Sequence, residues 1–560
     1  MAIVKKKKSF AAKSGGGSSQ ASTLRPKYQP KTPPCSHKCP ANVDIRGYVM
    51  HISQSEMYGR TLDQSLTEAW YMLTDKNPLP AATGRVCPHP CEGDCNRGSL
   101  EGPLNINSIE RYMGDFGIKN NLPLRKLTEE KRAEKVAVVG SGPAGLSCAY
   151  QLARRGYGVT LYESFPKTGG MLRYGIPPYR LPEDVLDAEV KKIQDIGVDI
   201  KLNTRVGKDV SFEALRKDNK VVFMGIGAHT GKSMGVPGED APNVQTGAEF
   251  LHNVNEGQKV NIGDKVVVIG GGNSAIDAAR VALRLGADVT ISYRRTRAEM
   301  PAIEHEIHSA EEEGIKFEYL TAPVEIVKDA SGKATGLKVQ RMELGEPDAS
   351  GRRRPVPVAG SEFVIDATFV CPSISQEPEW EGLDEIKNEK GWISSDAGGK
   401  TSVEGVFAGG DVTNQLGLVT EAIGLGRLAA EAIDDYIQNR PHTEEAPLTV
   451  VRYQTMYTSF FPKKDRHSTD FLPAAEVKSS MTTEPQLPLS DDVFKDEISR
   501  CMSCGLCFDC DNCWMYCSDG AVEKKAKDTP RGTHYAFILD KCQGCKKCAE
   551  ACPCGYIDML

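Results

Sequence analysis

The apolar residues in the middle of the chain recur in a strand–turn–helix order. A short apolar run of strong β character, Lys135–Val139, is followed by a glycine-rich turn and by a helical pattern that continues through Ala153. The same order recurs after the apolar run Val266–Ile269. A third strand-like run ends at Ala408, and a helix is predicted from about Leu418 to Ile437. Strands that alternate with helices in this way predict an α/β fold of the Rossmann type.

The first glycine-rich turn has the sequence of a dinucleotide-binding turn. Residues 140–145 read Gly-Ser-Gly-Pro-Ala-Gly. The first glycine permits the tight turn, the second lets the backbone approach a pyrophosphate, and the third allows close helix–strand packing. An acid follows the next predicted strand, Val159–Tyr162, where it can accept hydrogen bonds from ribose hydroxyls. The residues assigned to this site are Gly140, Gly142, Pro143, Ala144, Gly145 and Glu163.

The second turn, residues 270–275, repeats the pattern with alanine in place of the third glycine. The strand that follows, Asp288–Tyr293, carries no acid at its tip and ends in Arg294 and Arg295. Guanidinium groups there suit a 2′-phosphate, so NADPH is favoured over NADH, although two solvated arginines are the alternative. The residues assigned to this site are Gly270, Gly272, Asn273, Ser274, Arg294 and Arg295.

Length and charge limit the class of protein. A chain of 560 residues is too long for one hydrophobic core, and roughly three to five domains are expected. A net charge of −6 gives no general reason to bind nucleic acid. No run is long and apolar enough to span a bilayer and the N-terminus lacks the apolar core of a signal peptide, so a cytoplasmic protein is expected. The Gly- and Ser-rich run Lys13–Ser22 predicts a disordered tail.

Eighteen cysteines in such a chain indicate metal sites more than disulfides. Two C-terminal runs, beginning at Cys507 and Cys542, each have the spacing C-x2-C-x2-C-x3-C of two-cluster bacterial ferredoxins, in which the fourth cysteine of each run ligates the other cluster. Zinc is the alternative reading. The two predicted ligand sets are Cys507, Cys510, Cys513 and Cys552, and Cys542, Cys545, Cys548 and Cys517.

Several local phrases, in the same order along the chain, carry a resemblance to a known family. Gly169–Pro182, Tyr293–Arg295 with Met300–Ala302, and the Gly-Asp pair at residues 410–411 resemble the small subunit of NADPH glutamate synthase. The resemblance implies a discontinuous FAD domain interrupted by the NADPH domain, and places Tyr174–Leu181 near the route between nicotinamide and flavin. It adds as FAD-binding residues Gly170, Leu172, Gly410, Asp411, Val419 and Thr420.

The N-terminal cysteines are similar to those of the iron–sulfur domain of the same family. The resemblance implies one [4Fe–4S] cluster held by Cys39, Cys87, Cys91 and Glu110, although Glu110 could equally be a surface acid. A second cluster retains only Cys35 and Cys95, because the Arg-Cys-x2-Cys unit that precedes these cysteines in the family is missing. That unit reappears as Arg500–Cys504. We hypothesise that Cys501 and Cys504 complete the second cluster, within the chain or across a dimer; the alternative is that they are spare thiols.

These features together predict two interleaved Rossmann-like dinucleotide-binding domains, an N-terminal helical iron–sulfur domain and a C-terminal α+β ferredoxin-like domain. The expected function is electron transfer between NADPH, FAD and three or four [4Fe–4S] clusters, with no acid–base catalyst. The predicted segments are a tail at 1–30, an iron–sulfur domain at 31–130, the FAD domain at 131–240 and 375–444, the NADPH domain at 241–374, a linker at 445–490 and the ferredoxin domain at 491–560.

The expected partner comes from a narrower resemblance. Arg500–Gly505 and Cys510–Cys513 are similar to the iron–sulfur flavoproteins of the dissimilatory sulfite reductase system, which implies a sulfite reductase partner, a role in sulfur metabolism and a homodimer. The alternatives are an NADPH-dependent reductase of metals, quinones or ferredoxin, and a non-catalytic electron-transfer subunit of a larger complex. Electron flow in the reverse direction is also compatible with the sequence.

Overall fold

The computed structural model describes residues 22–29, 31–349, 351–413, 417–442, 448–526, 532 and 534–560. Most of the predicted N-terminal tail, residues 1–21, therefore lies outside the described residues. The tail prediction is wrong for the strand β1, Pro26–Tyr28, which pairs antiparallel with the last strand of the chain. The partner strand is more than 500 residues away and supplies the backbone hydrogen bonds that no local pattern predicts.

The N-terminal domain is built from short helices around the buried Trp70. Its longest helices begin at side chains that accept a backbone N–H, such as Thr61 in a capping box with Gln64 and Asn105 at the later helix. The helices are α1 Pro34–Lys38, α2 Ile45–Ser53, α3 Leu62–Thr74, α4 Pro80–Val86, α5 Pro90–Gly93 and α6 Ile106–Lys119. Cys35 and Cys39 lie at the two ends of α1, and Cys87 directly follows α4.

The first dinucleotide domain begins with a strand, a glycine turn and a helix, as predicted. Its parallel sheet has the strand order Val406–Ala408, Val221–Met224, Lys135–Val139, Gly158–Tyr162 and Asp199–Lys201, so a strand from the later part of the chain completes it. The elements before the second domain are β2 Lys135–Val139, α7 Pro143–Ala153, β3 Gly158–Tyr162, α8 Met171–Tyr174, α9 Glu183–Asp195, β4 Asp199–Lys201, α10 Phe212–Asp218, β5 Val221–Met224 and β6 Thr230–Gly231.

The second dinucleotide domain has a parallel sheet of order β14–β7–β8–β9, and an antiparallel sheet of β10 to β13 extends beyond it. Its elements are α11 Gly247–Asn255, β7 Lys265–Ile269, α12 Asn273–Arg284, β8 Asp288–Tyr293, α13 Glu304–Glu313, β9 Lys316–Tyr319, β10 Thr321–Lys328, β11 Ala334–Pro347, β12 Arg353–Pro357, β13 Phe363–Asp366 and β14 Phe369–Pro372. The chain then returns through β15 Gln376–Glu377, which pairs with β6, to β16 Val406–Ala408 and α14 Val419–Ile437. The predicted α/β fold with two interleaved dinucleotide domains is confirmed.

The segment predicted as a linker crosses the surface of the N-terminal domain. Arg97 donates to the carbonyl of Pro462 at 2.8 Å, and Glu484 pairs with Arg85 at 2.8 Å. After the short helix α15 Ala474–Val477 it reaches the C-terminal domain, whose elements are α16 Asp491–Ile498, α17 Asn512–Met515, β17 Val522–Lys524, β18 Tyr535–Phe537, α18 Lys547–Glu550 and β19 Ile557–Met559. None of the helices in the described part of the chain has both the length and the apolar character that a membrane crossing needs.

Candidate functional site

The first glycine turn leaves its backbone open where a pyrophosphate would lie. Gly140 has φ +94°, and a Cβ there would lie 2.4 Å from the carbonyl oxygen of Gly225. A Cβ on Gly145 would meet the carbonyl oxygen of Gly140 at 1.9 Å, so this residue allows α7 to pack against the turn. Gly142, by contrast, faces open space at the N-terminus of α7. The turn thus presents bare backbone and a helix N-terminus to the same volume.

Glu163 braces this turn. Its carboxylate is buried and accepts hydrogen bonds from the backbone N–H groups of Ser141 and Phe165, both at 2.9 Å, and from the hydroxyls of Ser141 and Ser164. A carboxylate has about four lone-pair positions, so these contacts occupy most of its acceptor capacity. Glu163 lines the cleft beside the turn, and its contact with a ribose stays a prediction.

Two adjoining cavities run along the turn and are together named the flavin cleft. One has a volume of about 690 Å³ and reaches from the turn past Glu163. The other, of about 560 Å³, reaches from the turn toward the N-terminus of α14. Of the residues predicted to bind FAD, the following line the second cavity: Gly142, Pro143, Ala144, Leu172, Gly410, Asp411 and Val419. Burial raises the pKa of Asp411 to about 6, and the backbone N–H of Gly417 donates to its carboxylate at 3.3 Å.

His229 lines both cavities and was not among the predicted residues. Burial lowers the pKa of its imidazole, which therefore stays neutral near pH 7. Its ring meets Phe165 edge-on at 5.6 Å. No motif marks this histidine, because it follows strand β5 in an ordinary Gly-Ala-His sequence, and only the position of β5 in the sheet brings it to the cleft.

The second glycine turn is tightly packed. A Cβ on Gly270, φ +149°, would lie 2.4 Å from the carbonyl oxygen of Ser373, whereas Gly272 faces open space at the N-terminus of α12. The side chain of Asn273 accepts a hydrogen bond from the backbone of Ile303 at 2.9 Å, which ties the turn to the segment after the arginine pair. Ser274 lies in the first turn of α12.

The structure separates the two arginines at the tip of β8. Arg294 is exposed, but Arg295 is buried and donates to Asp348 and to the carbonyl oxygen of Arg353, both at 2.7 Å. Both of these partners belong to the hairpin formed by β11 and β12. Arg295 thus anchors this hairpin, while Arg294 is the guanidinium that solvent, or a 2′-phosphate, can reach.

Site A consists of Cys39, Cys87, Cys91 and Glu110, at the ends of α1, α4, α5 and within α6. Burial, together with the negative charges of Glu110 and Cys87, raises the pKa of Cys39 to about 11, so these groups are close neighbours. The carboxylate of Glu110 is buried and not at the surface. It accepts hydrogen bonds from Asn77 at 3.0 Å and Thr83 at 2.5 Å and pairs with His89 at 3.1 Å. Its role as a fourth ligand stays a prediction.

Site B consists of Cys35, Cys95, Cys501 and Cys504, which line one apolar cavity of about 420 Å³. Burial, followed by the charges of the other three thiols, raises the pKa of Cys35 well above its usual range. Asn96 donates to the sulfur of Cys504 at 3.3 Å, and Arg46 donates to its backbone carbonyl at 2.8 Å. Cysteines from both ends of a single chain therefore meet at this cavity, without a second copy of the chain.

Sites C and D are the two ferredoxin sets. Site C, Cys507, Cys510, Cys513 and Cys552, lines a cavity of about 300 Å³, and site D, Cys517, Cys542, Cys545 and Cys548, lines one of about 350 Å³. No group of three or more His, Cys, Asp or Glu side chains within the described residues is arranged to hold a single metal ion. Zinc draws its ligands to about 2.3 Å from one point. Sulfurs that line a cavity fit a cluster that occupies a volume of its own, and the zinc alternative stays open.

The four sites follow one another from the flavin cleft outward. The sulfur of Cys87 in site A lies 3.5 Å from the hydroxyl of Thr420, in the first turn of α14 beside the cleft. Cys39 of site A and Cys35 of site B lie at the two ends of α1 and share a backbone hydrogen bond of 3.1 Å. Beyond site B, the N–H of Gly505 donates to the carbonyl of Cys554 at 2.7 Å, next to site C. Site D then completes the ferredoxin domain.

Two protein families match the chain. The family described as Pyridine nucleotide-disulphide oxidoreductase matches residues 134–426, a range that contains both glycine turns and more than half of the chain. The family described as Dihydroprymidine dehydrogenase domain II, 4Fe-4S cluster, matches residues 20–122, which contain the N-terminal cysteines. The chain belongs to the pyridine nucleotide-disulphide oxidoreductases. In this oxidoreductase the cysteines from 501 onward lie beyond both matched ranges.

Relatives of this pyridine nucleotide-disulphide oxidoreductase share most of its length. It is 41% identical over 442 residues to the NADPH-Fe(3+) oxidoreductase subunit beta of Geobacter sulfurreducens. This alignment covers 73% of the present chain and 64% of the relative. It is 42% identical over 436 residues to the NADP(+)-dependent formate dehydrogenase subunit beta of Moorella thermoacetica, with 73% and 60% covered. It is 34% identical over 429 residues to the small chain of NADPH glutamate synthase of Escherichia coli, with 72% and 89% covered.

These alignments decide the wider of the two resemblances. The similarity to the glutamate synthase small subunit, with its 4Fe-4S domain, is confirmed. The narrower similarity, to the flavoproteins of the sulfite reductase system, stays a prediction. The chain spans less than two thirds of the length of the first two relatives, both of which are named as subunits.

Proposed function

We propose that the chain is an NAD(P)H:acceptor oxidoreductase that passes electrons between NADPH, FAD and [4Fe–4S] clusters to a protein partner. When bound, FAD supplies hydride exchange with NADPH and the clusters supply one-electron transfer, so the protein's task is to hold and order them. The observation that carries the proposal is the series of cysteine sites from Thr420 beside the flavin cleft to site D. A chain that only bound nucleotides would have no use for this series.

The residues of the first domain fit FAD. The open face of Gly142 and the N-terminus of α7 would hold the pyrophosphate, and Asp411 lies where the ribityl chain would pass. Thr420 and Val419 begin α14, whose N-terminus points a positive dipole end at the cleft. These groups are preorganised, because the turn is already braced by Glu163.

The second domain would hold NADPH at Gly270, Gly272, Asn273 and Ser274, with the 2′-phosphate at Arg294. The fit rests on the open face of Gly272 at the N-terminus of α12 and on the exposed guanidinium of Arg294. Arg295 supports this arrangement from behind by holding the hairpin. NADH lacks the phosphate that Arg294 would bind, so NADPH is the preferred nucleotide.

We propose four [4Fe–4S] clusters, one in each of sites A to D. Sites B, C and D are supported by their cavities, and site A by its close-packed thiols and the buried carboxylate of Glu110. Backbone N–H groups already point at cluster sulfurs, from His89 to Cys87 at 3.3 Å and from Ala521 to Cys517 at 3.1 Å. Such hydrogen bonds to ligand sulfurs tune the reduction potential of a cluster.

The partner we propose is dissimilatory sulfite reductase, with the chain acting in the cytoplasm as a homodimer in sulfur metabolism. Arg500–Gly505 and Cys510–Cys513 support this choice through their resemblance to the flavoproteins of that system. The 41% identity to an NADPH-Fe(3+) oxidoreductase subunit supports a second candidate, the reduction of a metal or of another protein acceptor. Affinity purification of the tagged chain from its native source, followed by identification of bound proteins, separates the two.

The test of the proposed activity is rapid anaerobic mixing of the FAD- and cluster-loaded chain with NADPH. We expect bleaching of the flavin absorption at about 450 nm, followed by slower bleaching from cluster reduction. The same experiment with NADH should give a lower rate at equal concentration. If dithionite bleaches the flavin and NADPH does not, the chain is not an NADPH oxidoreductase and the second dinucleotide domain has another role.

A further inference from the structure

The surface around site D is the part of the ferredoxin domain where a cluster comes nearest to solvent. Cys517, Cys542 and Cys545 are each partly exposed, whereas in site C only Cys510 is. Site D is also the last site in the series that begins at the flavin cleft. An electron that has travelled through the chain would leave here, so the chemistry of this surface decides which acceptor can approach.

Large apolar side chains surround site D in an exposed position. Met515 and Tyr516, immediately before Cys517, are 46% and 51% exposed, and Leu539, three residues before Cys542, is 48% exposed. Each of them lies within three residues of a cysteine of site D, and exposed apolar side chains beside such a site are what a protein contact uses.

A basic rim adjoins this apolar patch. Between Asp540 and Glu550 every charged residue is a lysine, namely Lys541, Lys546 and Lys547. All three are exposed, and none forms an ion pair with any residue that the structure describes. Lys546 and Lys547 line the cavity of site D itself, where the acid that shares the lining is Asp519.

The first described residue of the chain, Ser22, contacts the same loop. Ser22 donates through its backbone N–H to the carbonyl of Gln543 at 3.1 Å and through its hydroxyl to that of Gly544 at 2.8 Å. Residue 22 is thus fixed on the loop between Cys542 and Cys545. The 21 residues that precede it in the sequence contain five lysines and no aspartate or glutamate.

We propose that an acidic electron-transfer protein docks on this surface. We name it the exit surface and define it by Met515, Tyr516, Leu539, Lys541, Lys546 and Lys547. This inference rests on the proposed function and names the partner by its charge. The lysines would attract and orient an acidic partner before contact, and the apolar residues would exclude water where the two redox centres meet. The partner's own charge, and not its fold, is what the exit surface selects.

The test uses the full loaded chain, reduced with NADPH under anaerobic conditions and mixed rapidly with one of two oxidised protein acceptors. One acceptor is an acidic [2Fe–2S] ferredoxin and the other is basic mitochondrial cytochrome c; each takes one electron. Opposite charges attract, and salt screens this attraction. Raising the ionic strength from about 0.01 M to about 0.5 M should therefore lower the rate of ferredoxin reduction at least about tenfold and should not lower the rate of cytochrome c reduction.

Charge reversal makes the test specific to the exit surface. Lys546→Glu combined with Lys547→Glu should lower the rate of ferredoxin reduction about tenfold and raise the rate of cytochrome c reduction, because the charge of the rim changes sign. Lys217→Glu combined with Lys390→Glu makes the same charge change at exposed lysines of the first dinucleotide domain and should change neither rate. If the first double variant does not bind its cluster, Lys541→Glu alone reverses the charge of the third rim lysine and provides the same comparison at a residue that does not line the site D cavity.

Several results would overturn the proposal. Equal salt dependence for both acceptors, or equal effects of the two double variants, would show that the exit surface does not select by charge. Separation of a dimer by the Lys546→Glu and Lys547→Glu changes, measured by mass photometry, would show that a second copy of the chain occupies it. Binding to anionic phospholipid vesicles without any effect on the ferredoxin would assign it to a membrane. Failure of NADPH to reduce the chain at all is a separate outcome, which rejects the proposed function instead.

Discussion

At the scale of single residues, Arg295 shows how a motif and a structure can assign one side chain differently. The Arg-Arg pair after β8 suggests two equivalent ligands for a 2′-phosphate. In the structure Arg295 is committed to Asp348, 53 residues later, while Arg294 stays exposed. An ion pair that is largely buried is costly to break, because the partner is left with an uncompensated charge. Arg295 is therefore a positioning residue for the hairpin, and Arg294 is the arginine that we propose binds the 2′-phosphate.

This division predicts different kinetics for the two arginines. Arg294→Ala should lower kcat/KM for NADPH by about 10- to 100-fold, the loss expected for one charged hydrogen bond, and leave kcat/KM for NADH unchanged. Arg295→Met and Asp348→Asn should each raise KM for both nucleotides by a similar factor, since both loosen the hairpin. Steady-state reduction of ferricyanide, with NADPH or NADH as the electron donor, gives the kcat/KM and KM values of each variant. A selective loss of NADPH activity in Arg295→Met would instead make Arg295 a direct ligand.

Glu189 is a second residue whose role depends on a distant contact. It lies in α9 of the first dinucleotide domain, and its buried carboxylate accepts the N–H groups of Ala81 at 2.6 Å and Ala82 at 3.0 Å, 108 and 107 residues earlier. It thus caps α4, the helix that ends at Cys87 of site A. Burial, partly opposed by these two hydrogen bonds, raises the pKa of Glu189 to about 8.

The raised pKa predicts a pH dependence of stability. Between pH 4.5, the ordinary value, and about 8 the folded chain holds a proton on Glu189 that the unfolded chain releases, so this group's contribution to stability falls as the pH rises through that window. Glu189→Gln cannot titrate and replaces one acceptor oxygen, at a cost of about 1 kcal/mol. The difference in apparent Tm between the wild type and Glu189→Gln should therefore be larger at acidic pH than above pH 8. Glu213→Gln, an exposed acid in the first turn of α10, should show no such trend.

At the scale of elements, the segment that follows α16 joins the two iron–sulfur domains. Arg500 at its start is fully buried and donates to the backbone carbonyls of Gly102 at 2.7 Å and Pro103 at 3.1 Å. These contacts fix the direction in which the chain leaves α16 and bring Cys501 and Cys504 to the cavity of site B. The segment that leads into the ferredoxin domain thus meets the N-terminal domain at the cysteines of site B.

Removal of the thiols of Cys501 and Cys504 should remove one cluster from the protein. The variant Cys501→Ser with Cys504→Ser is expected to contain about four fewer irons per FAD than the wild type, while sites A, C and D keep theirs. Iron and acid-labile sulfide analysis of anaerobically purified protein checks this. The matched control is Cys148→Ser, a buried cysteine of α7 outside all four sites, which should keep the full iron content. Equal iron in both variants would show that site B holds no cluster.

The elements that the sequence predicts are those whose signals are local. The glycine turns, the strands beside them and the two ferredoxin cysteine runs each lie within a few tens of residues, and the fold class follows from them. Glu189, His229, Asp348 and the strand Pro26–Tyr28 escape prediction because each acts on a partner far along the chain. Site B is partly predictable. The sequence suggests its members, because the Arg-Cys-x2-Cys unit that is missing before Cys35 reappears at Arg500–Cys504. Only the fold shows that these cysteines meet within one chain.

At the scale of the whole molecule, buried charges hold the two dinucleotide domains together. Arg180, in the loop expected near the nicotinamide–flavin route, pairs with Asp277 of α12 at 2.7 Å and with Glu306 of α13 at 2.9 Å. Farther along α12, Arg284 pairs with Glu313 at 2.8 Å and also donates to the carbonyl of Ser480 in the connecting segment. Hydrophobic packing would join the domains as strongly, but ion pairs with fixed geometry specify one orientation. The orientation matters because the nicotinamide must meet the flavin.

The same whole-molecule arrangement makes the order of sites the central claim. In the proposed function, electrons would enter at the flavin cleft, pass site A beside Thr420, then sites B and C, and leave at site D. The most direct measurement compares the wild type with Cys545→Ser, in which site D loses a ligand, for flavin bleaching by NADPH and for reduction of a protein acceptor. The account predicts that bleaching keeps its rate while acceptor reduction falls at least about tenfold. Acceptor reduction at the wild-type rate, with site D shown to be empty by electron paramagnetic resonance, would contradict it.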